Sequence, residues 1–391
     1  MKRNFWCLVG FELKKILKRK IVWIAFGLVS LVMLFMGVYT LIFTHEVDNF
    51  RVTAHEERIA EKEAVKKISG RPVDDVLLEE LANALITGEN SAVYQHLYDN
   101  MVRTVYGKIS GEKLLQVLKN QTGFYDARRQ VIEQNMEAMY LTEEEVAYWN
   151  EVLKEEETPW TFEYCNGIAM AWVAAYTAIV LIALMLAVCL ANIFSEEHQK
   201  KTDQLVLCSK NGKQILYGAK IAAGFLFTTG STVIILLITA LPQVLLLGTD
   251  GWNSPIQLYM PLSLLDMTFG EMLGYTYMTG LLAALLYASV TMCCSEMFRN
   301  SNVAVMALIT VLVLVPMMVV IPYEYRVLSQ MLELNPISVL SVWSVNEYRL
   351  IPFFGRYFTM KETAPVLYVL LAAGCVALGG RLYKRYQVSG R

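Results

Sequence analysis

The chain has 391 residues, 55% of them hydrophobic and 18% charged, with a formal net charge of −2. Soluble domains average about 45–50% apolar residues, so this composition excludes an ordinary water-soluble globule. The small net charge conceals a partition: residues 44–166 carry 13 Lys/Arg against 24 Asp/Glu, whereas 1–20, 195–220, 296–301 and 381–391 together carry 17 against 5. Basic segments inside and acidic ones outside are the orientation rule of membrane proteins. The basic residues hug the ends of apolar runs and form no single patch, so no nucleic-acid partner is implied.

Residues 1–20 read as an interfacial amphipathic helix. On a helical wheel Phe5, Trp6, Val9, Leu13, Ile16 and Leu17 fall in one arc, and Glu12, Lys14, Lys15, Lys18 and Arg19 occupy the rest. Such a helix takes membrane lipid as a partner, each basic residue gaining about 1 kcal/mol from anionic headgroups. The first crossing, 21–43, is uncharged and too long for a signal-peptide core.

An acidic region at 44–165 follows, large enough to fold on its own. It reads as helical: Val73, Val76, Leu77, Leu81 and Leu85 recur at helical spacing, and Thr142 with Glu145 forms a capping-box signature. Turns are expected at 70–72, 87–91, 107–111 and 121–123, and no strand alternation is evident. Within this region only Cys165 carries a thiol, so no internal disulfide staples it. Trp160, Phe162 and Tyr164 read as an aromatic belt where the chain re-enters lipid.

Further apolar runs give crossings at 166–195, 218–248, 269–295, 302–322 and 364–383. They are joined by an inner loop at 196–217, an outer loop at 249–268, an inner loop at 296–301 and an outer re-entrant or amphipathic segment at 323–363, with a cytoplasmic tail at 384–391. Pro242 is expected to kink the third crossing, and Pro365 to occupy the first turn of the sixth. Glu271 reads as a solvated rim residue and Thr228, Thr229, Ser231 and Thr232 as small helix-packing residues. The fold class is therefore an all-α membrane protein: six transmembrane helices, an N-terminal interfacial helix, and a helical extracellular domain between helices 1 and 2. Both termini are placed in the cytoplasm of a bacterial cell.

The chain shows no Gly-x4-Gly-Lys-Ser/Thr phosphate loop, so it is not expected to bind ATP that way. His45-Glu46 and His55-Glu56-Glu57 lack the second histidine of a metal site, and no Ser/His/Asp spacing suggests hydrolysis. No cofactor on this chain and no enzymatic activity are expected.

The most patterned stretch is 195–220, SEEHQKKTDQLVLCSKNGKQILYGAK. Glu197 and Thr202 precede the apolar patch Leu205–Leu207, then Ser209, Lys210 and Lys213 form a basic turn, and Gly218–Lys220 open the next helix. A second short return, at 294–301, places Glu296 and Arg299 around Phe298. This arrangement resembles the permease subunits of ABC-2 exporters, with Lys201 replacing the Gly that family has before the Thr. The resemblance implies that these ten residues (Glu197, Thr202, Leu205, Leu207, Ser209, Lys210, Lys213, Glu296, Phe298 and Arg299) contact a separate ABC ATPase subunit, which alone carries ATP. It also implies pairing with a second permease chain and outward movement of a peptide, antibiotic-like amphiphile, lipid or ion. The alternative is a membrane-anchored receptor or sensor whose outer domain binds a ligand.

Overall fold

The computed structural model describes residues 2–47, 50–120, 123–199, 212–298, 301–310 and 314–385. The chain is mostly helical, at 77%. The N-terminal helix α1 (Lys2–Lys18) is followed by α2 (Lys20–Ile42). The acidic region holds α3 (Ala54–Val65), α4 (Asp75–Thr87), α5 (Ser91–His96), a π-turn at Leu97–Val102, α6 (Arg103–Tyr106), α7 (Gly111–Asn120), α8 (Phe124–Ala138) and α9 (Glu143–Glu155). Then come α10 (Asn166–Leu190), α11 (Asn192–Gln199), α12 (Gly212–Leu247), α13 (Phe269–Phe298), α14 (Ser301–Ile309), α15 (Val315–Met318), α16 (Arg326–Glu333), α17 (Pro336–Val339) and α18 (Met360–Arg385). Among the described residues five helices, covering Lys20–Tyr39, Asn166–Glu197, Ile215–Leu247, Phe269–Phe298 and Met360–Arg385, are long and apolar enough to cross a membrane.

These five pack side by side around one apolar core that includes Met33, Ile179, Leu186, Ala223, Ile235, Ala284, Tyr287 and Tyr368. Small residues set the closest approaches. A Cβ on Gly37 of α2 would lie 2.6 Å from the Pro242 ring of α12, and one on Gly280 of α13 the same distance from Ile179 of α10. Thr228, Ser231 and Thr232 are buried in this packing, as expected of small helix-packing residues. Helix directions follow from the contacts. Tyr275 of α13 reaches the Lys361 carbonyl of α18, and Cys293 of α13 lies beside Gly379. The helices α13 and α18 therefore run parallel, so the chain travels back along the bundle between Phe298 and Met360.

Several expectations change. The reading of 44–165 as purely helical gives way to an antiparallel ribbon at its start, β1 (Thr44–Val47) paired with β2 (Phe50–Thr53). A second ribbon joins β3 (Ile351–Phe353) to β4 (Arg356–Phe358). Strands of three or four residues are too short for alternation to register in sequence. The expected turns at 70–72, 87–91 and 107–111 do separate helices, with Gly88 closing α4 in the left-handed region at φ 76°, and the one at 121–123 lies mostly outside the described residues.

The aromatic belt is not a belt: Trp160, Phe162 and Tyr164 are 5%, 3% and 7% exposed and face protein. The segment is extended and pairs with 70–73 through Phe162 N to Arg71 O (2.8 Å) and Val73 N to Trp160 O (2.8 Å). Alternate side chains therefore point to one face, and here that face is the core of the acidic domain. This core also includes Leu77, Leu81 and Phe124, and it runs on into Ile168, Trp172 and Phe269 of the bundle. The acidic domain is thus docked on the bundle rather than freestanding.

Pro365 lies beyond the first turn, because a capping box of Thr359 and Glu362 starts α18 at Met360. Proline cannot donate to the carbonyl four residues earlier. That carbonyl belongs to Lys361, and it accepts the Tyr275 hydroxyl at 2.9 Å instead. Glu271 is an exposed capping partner of Thr268, consistent with a rim position. The helices α11 and α12 extend to Gln199 and back to Gly212, so helix covers much of the expected 196–217 loop.

Candidate functional site

One end of the bundle gathers α1, the start of α2, α11, the start of α12 and the ends of α13 and α18. At its centre is Lys220, 2% exposed one turn and more into an apolar helix. A charge so placed requires partners. Its Nζ lies 2.9 Å from Glu197 Oε1 and 3.2 Å from Glu12 Oε2, and it donates to the Ile193 carbonyl at 2.8 Å. The Phe194 ring covers the ammonium with its centroid 5.5 Å away. Lys15 joins from α1, 2.5 Å from Glu12 and 3.8 Å from Glu197. Arg19, between α1 and α2, pairs with Glu196 and donates to the Asn192 carbonyl at 3.3 Å. Three chain segments are thereby tied by one alternating set of charges.

The wheel position of Glu12 misled: it sits among lysines on the polar arc, yet it is 4% exposed. Of that arc Glu12 alone is buried, against Lys220, and Lys14, Lys15 and Lys18 stay exposed, while Val9 and Ile16 join the bundle core. The helix α1 is therefore an integral part of the bundle end, with Trp6 and Phe11 left exposed.

A second link is made by Ser295. Its hydroxyl donates to the Ala191 carbonyl at 2.6 Å and accepts the Phe194 and Ser195 backbone N–H groups at 3.2 Å each. These groups sit at the break between α10 and α11, where carbonyl and N–H lose their helical partners. Aromatic rings complete the floor: Phe194, Tyr217 and Tyr383 have centroids 5.5–5.7 Å apart. Tyr217 donates to the Val376 carbonyl at 2.6 Å, and a Cβ on Gly379 would fall 2.9 Å from its hydroxyl oxygen. Only glycine lets α18 come this close.

Of the ten residues singled out from sequence, Glu197 is inside the knot, Glu296 is buried beside Ser295 at 4% exposure, and Phe298 ends α13 partly exposed. Lys213 lies in the first turn of α12. Thr202, Leu205, Leu207, Ser209, Lys210 and Arg299 lie outside the described residues. The structure brings together the flanks of the two patterned returns, 195–220 and 294–301, through Ser295. Sequence reasoning missed Glu12, Lys15 and Ser295. Lys220 carried a usable signal, since a lysine within an apolar helix demands a buried counter-ion.

In comparison with known proteins, no family model, curated protein or solved structure matches the chain.

Proposed function

We propose that the chain is the permease subunit of an ATP-driven exporter of the ABC-2 type, working with a separate ATPase. The observation that carries this reading is the Glu12–Lys220–Glu197 knot at the base of residues 200–211. A segment that transmits a partner's closure must hang from a stiff mount, or its displacement is lost in local bending. Buried, mutually paired charges and a serine-bridged helix break supply such a mount, and it joins α1, α11, α12 and α13 into one lever.

In this reading Leu205 and Leu207 enter a groove of the ATPase, with Lys210 and Lys213 at its rim. Residues 302–322 return the chain between the parallel helices α13 and α18 and form the remaining crossing, for six in all. Both termini and 200–213 then face the cytoplasm, the acidic domain faces outward, and a second permease chain completes the transporter. The substrate is a peptide, amphiphile, lipid or ion. Coupling requires that the docked contacts differ between the ATPase states. In a pull-down with the ATPase encoded alongside it, Leu205→Asp with Leu207→Asp abolishes complex formation while leaving the chain folded. Undiminished capture by the double variant rules the coupling role out.

A further inference from the structure

At the opposite end from the charged knot, a cleft of about 750 Å³ opens between the acidic domain and the 249–268 loop. That volume is in the range of ligand sites, about 300–1,000 Å³. Glu155, Glu156, Glu157, Glu163 and Asp266 line it, and no lysine or arginine is among the described lining residues. Two of the five are engaged. Arg128, 2% exposed, holds both Glu156 oxygens at 2.7 and 3.0 Å, and Ser254 donates to Glu163 at 2.5 Å. Glu155, Glu157 and Asp266 have no ion-pair partner among the described residues.

Gln257 supplies a second, independent observation. It lines the same cleft, is 5% exposed, and spends its amide nitrogen on the Ser263 and Leu265 carbonyls at 3.4 and 2.9 Å. Its Oε1 is buried with no hydrogen-bond partner. A buried carbonyl without a donor costs roughly 1–3 kcal/mol, and an incoming N–H removes that cost. Pro159 and the part of Trp160 left uncovered by Arg128 add an apolar wall suited to the stem of a cation.

We propose that this cleft binds a linear organic cation bearing two or more amino or guanidino groups. The carboxylates are dispersed along the wall: among the described residues no three His, Cys, Asp or Glu side chains converge as a metal ion needs. Spaced negative charges, an orphan acceptor and an apolar wall fit an extended polycation, either a lysine-bearing peptide or a polyamine. This goes beyond the exporter reading and does not rest on it, because binding is read on the chain alone.

The test is calorimetric titration of the purified full chain in detergent with trilysine, spermine, triglutamate and Ca²⁺. Trilysine or spermine binds, the better of the two naming the source, and salt weakens the binding. Glu157→Gln with Asp266→Asn, two exposed positions, lowers affinity about tenfold. Gln257→Leu also lowers it but leaves the salt dependence unchanged, since no charge is removed. Absence of binding by both cations, affinity unchanged in the double carboxamide variant, or displacement of the cation by stoichiometric Ca²⁺ overturns the proposal.

Discussion

Lys220 brings a positive charge to a depth where water cannot solvate it, and the side chain is retained because two carboxylates and a carbonyl meet it there. Removing one member of such a set strands the others. Lys220→Met removes the buried cation and leaves Glu12 and Glu197 with only the half-exposed Lys15 beside them, and breaking a buried pair costs about 3–5 kcal/mol. The apparent Tm of the chain in detergent should fall clearly, and Glu12→Gln added to Lys220→Met should recover part of the loss, because the two sites share one interaction. Equal melting of Lys220→Met and the parent would show that the knot contributes nothing. The same logic operates at Arg128, which links α8 to the Pro261 and Ser263 carbonyls at 2.5 and 3.1 Å and stacks 4.7 Å from the Trp160 ring.

The segment from Tyr323 to Phe358 shows how a run of short elements can be held by charge. Arg349, fully buried, donates to Glu347 at 2.7 and 3.0 Å, to Ser329 at 2.6 Å and to Glu333, with the Tyr323 ring 4.5 Å away. One guanidinium thus faces two carboxylates. Burial, reinforced by the charge of Glu347, pushes Glu333 from its ordinary 4.5 up to about 8. The folded state therefore binds a proton that the unfolded chain releases near 4.5. The stability Glu333 contributes is complete below that value and is lost as pH rises to about 8. Glu333→Gln should flatten the dependence of apparent Tm on pH across this window, and a wild-type-like slope in the variant would contradict the assignment. Glu145, on α9, runs the other way. Burial raises it, but Arg326, the Thr142 backbone and Leu350 N–H (2.6 Å) prevail and hold it below the ordinary value. It joins the acidic domain to the 326–350 segment, as does Trp149 donating to the Tyr348 carbonyl at 2.6 Å.

At the scale of the whole molecule, all five long helices have one end at the knot, and the acidic domain occupies the other. The orientation proposed for this axis makes a direct prediction. In a cysteine-free background, Glu89→Cys, exposed in the acidic domain, should react with an impermeant maleimide on intact cells. Lys384→Cys, exposed at the end of α18, should react only after permeabilisation. The reverse pattern would invert the molecule and remove the coupling role of 200–213. Exposed apolar side chains on α2 and α18, among them Leu28, Leu31, Phe35, Val366 and Leu370, suit a lipid or second-subunit face.

Long uncharged runs, an acid–base partition between segments, and the Thr142–Glu145 cap are local or additive properties, so composition and spacing were enough to establish apolar helices of spanning length and the helices of the acidic domain. Most helix ends shifted by only a few residues, as caps and not hydropathy decide them. Tertiary structure alone decided the rest. Whether Trp160, Phe162 and Tyr164 meet lipid or protein depends on which strand pairs with 70–73, a contact nearly ninety residues away. Whether Glu12 is solvated depends on Lys220, 208 residues later. A side chain's polarity states what partner it needs, but only the folded chain supplies one, because desolvation is a property of place and not of residue type.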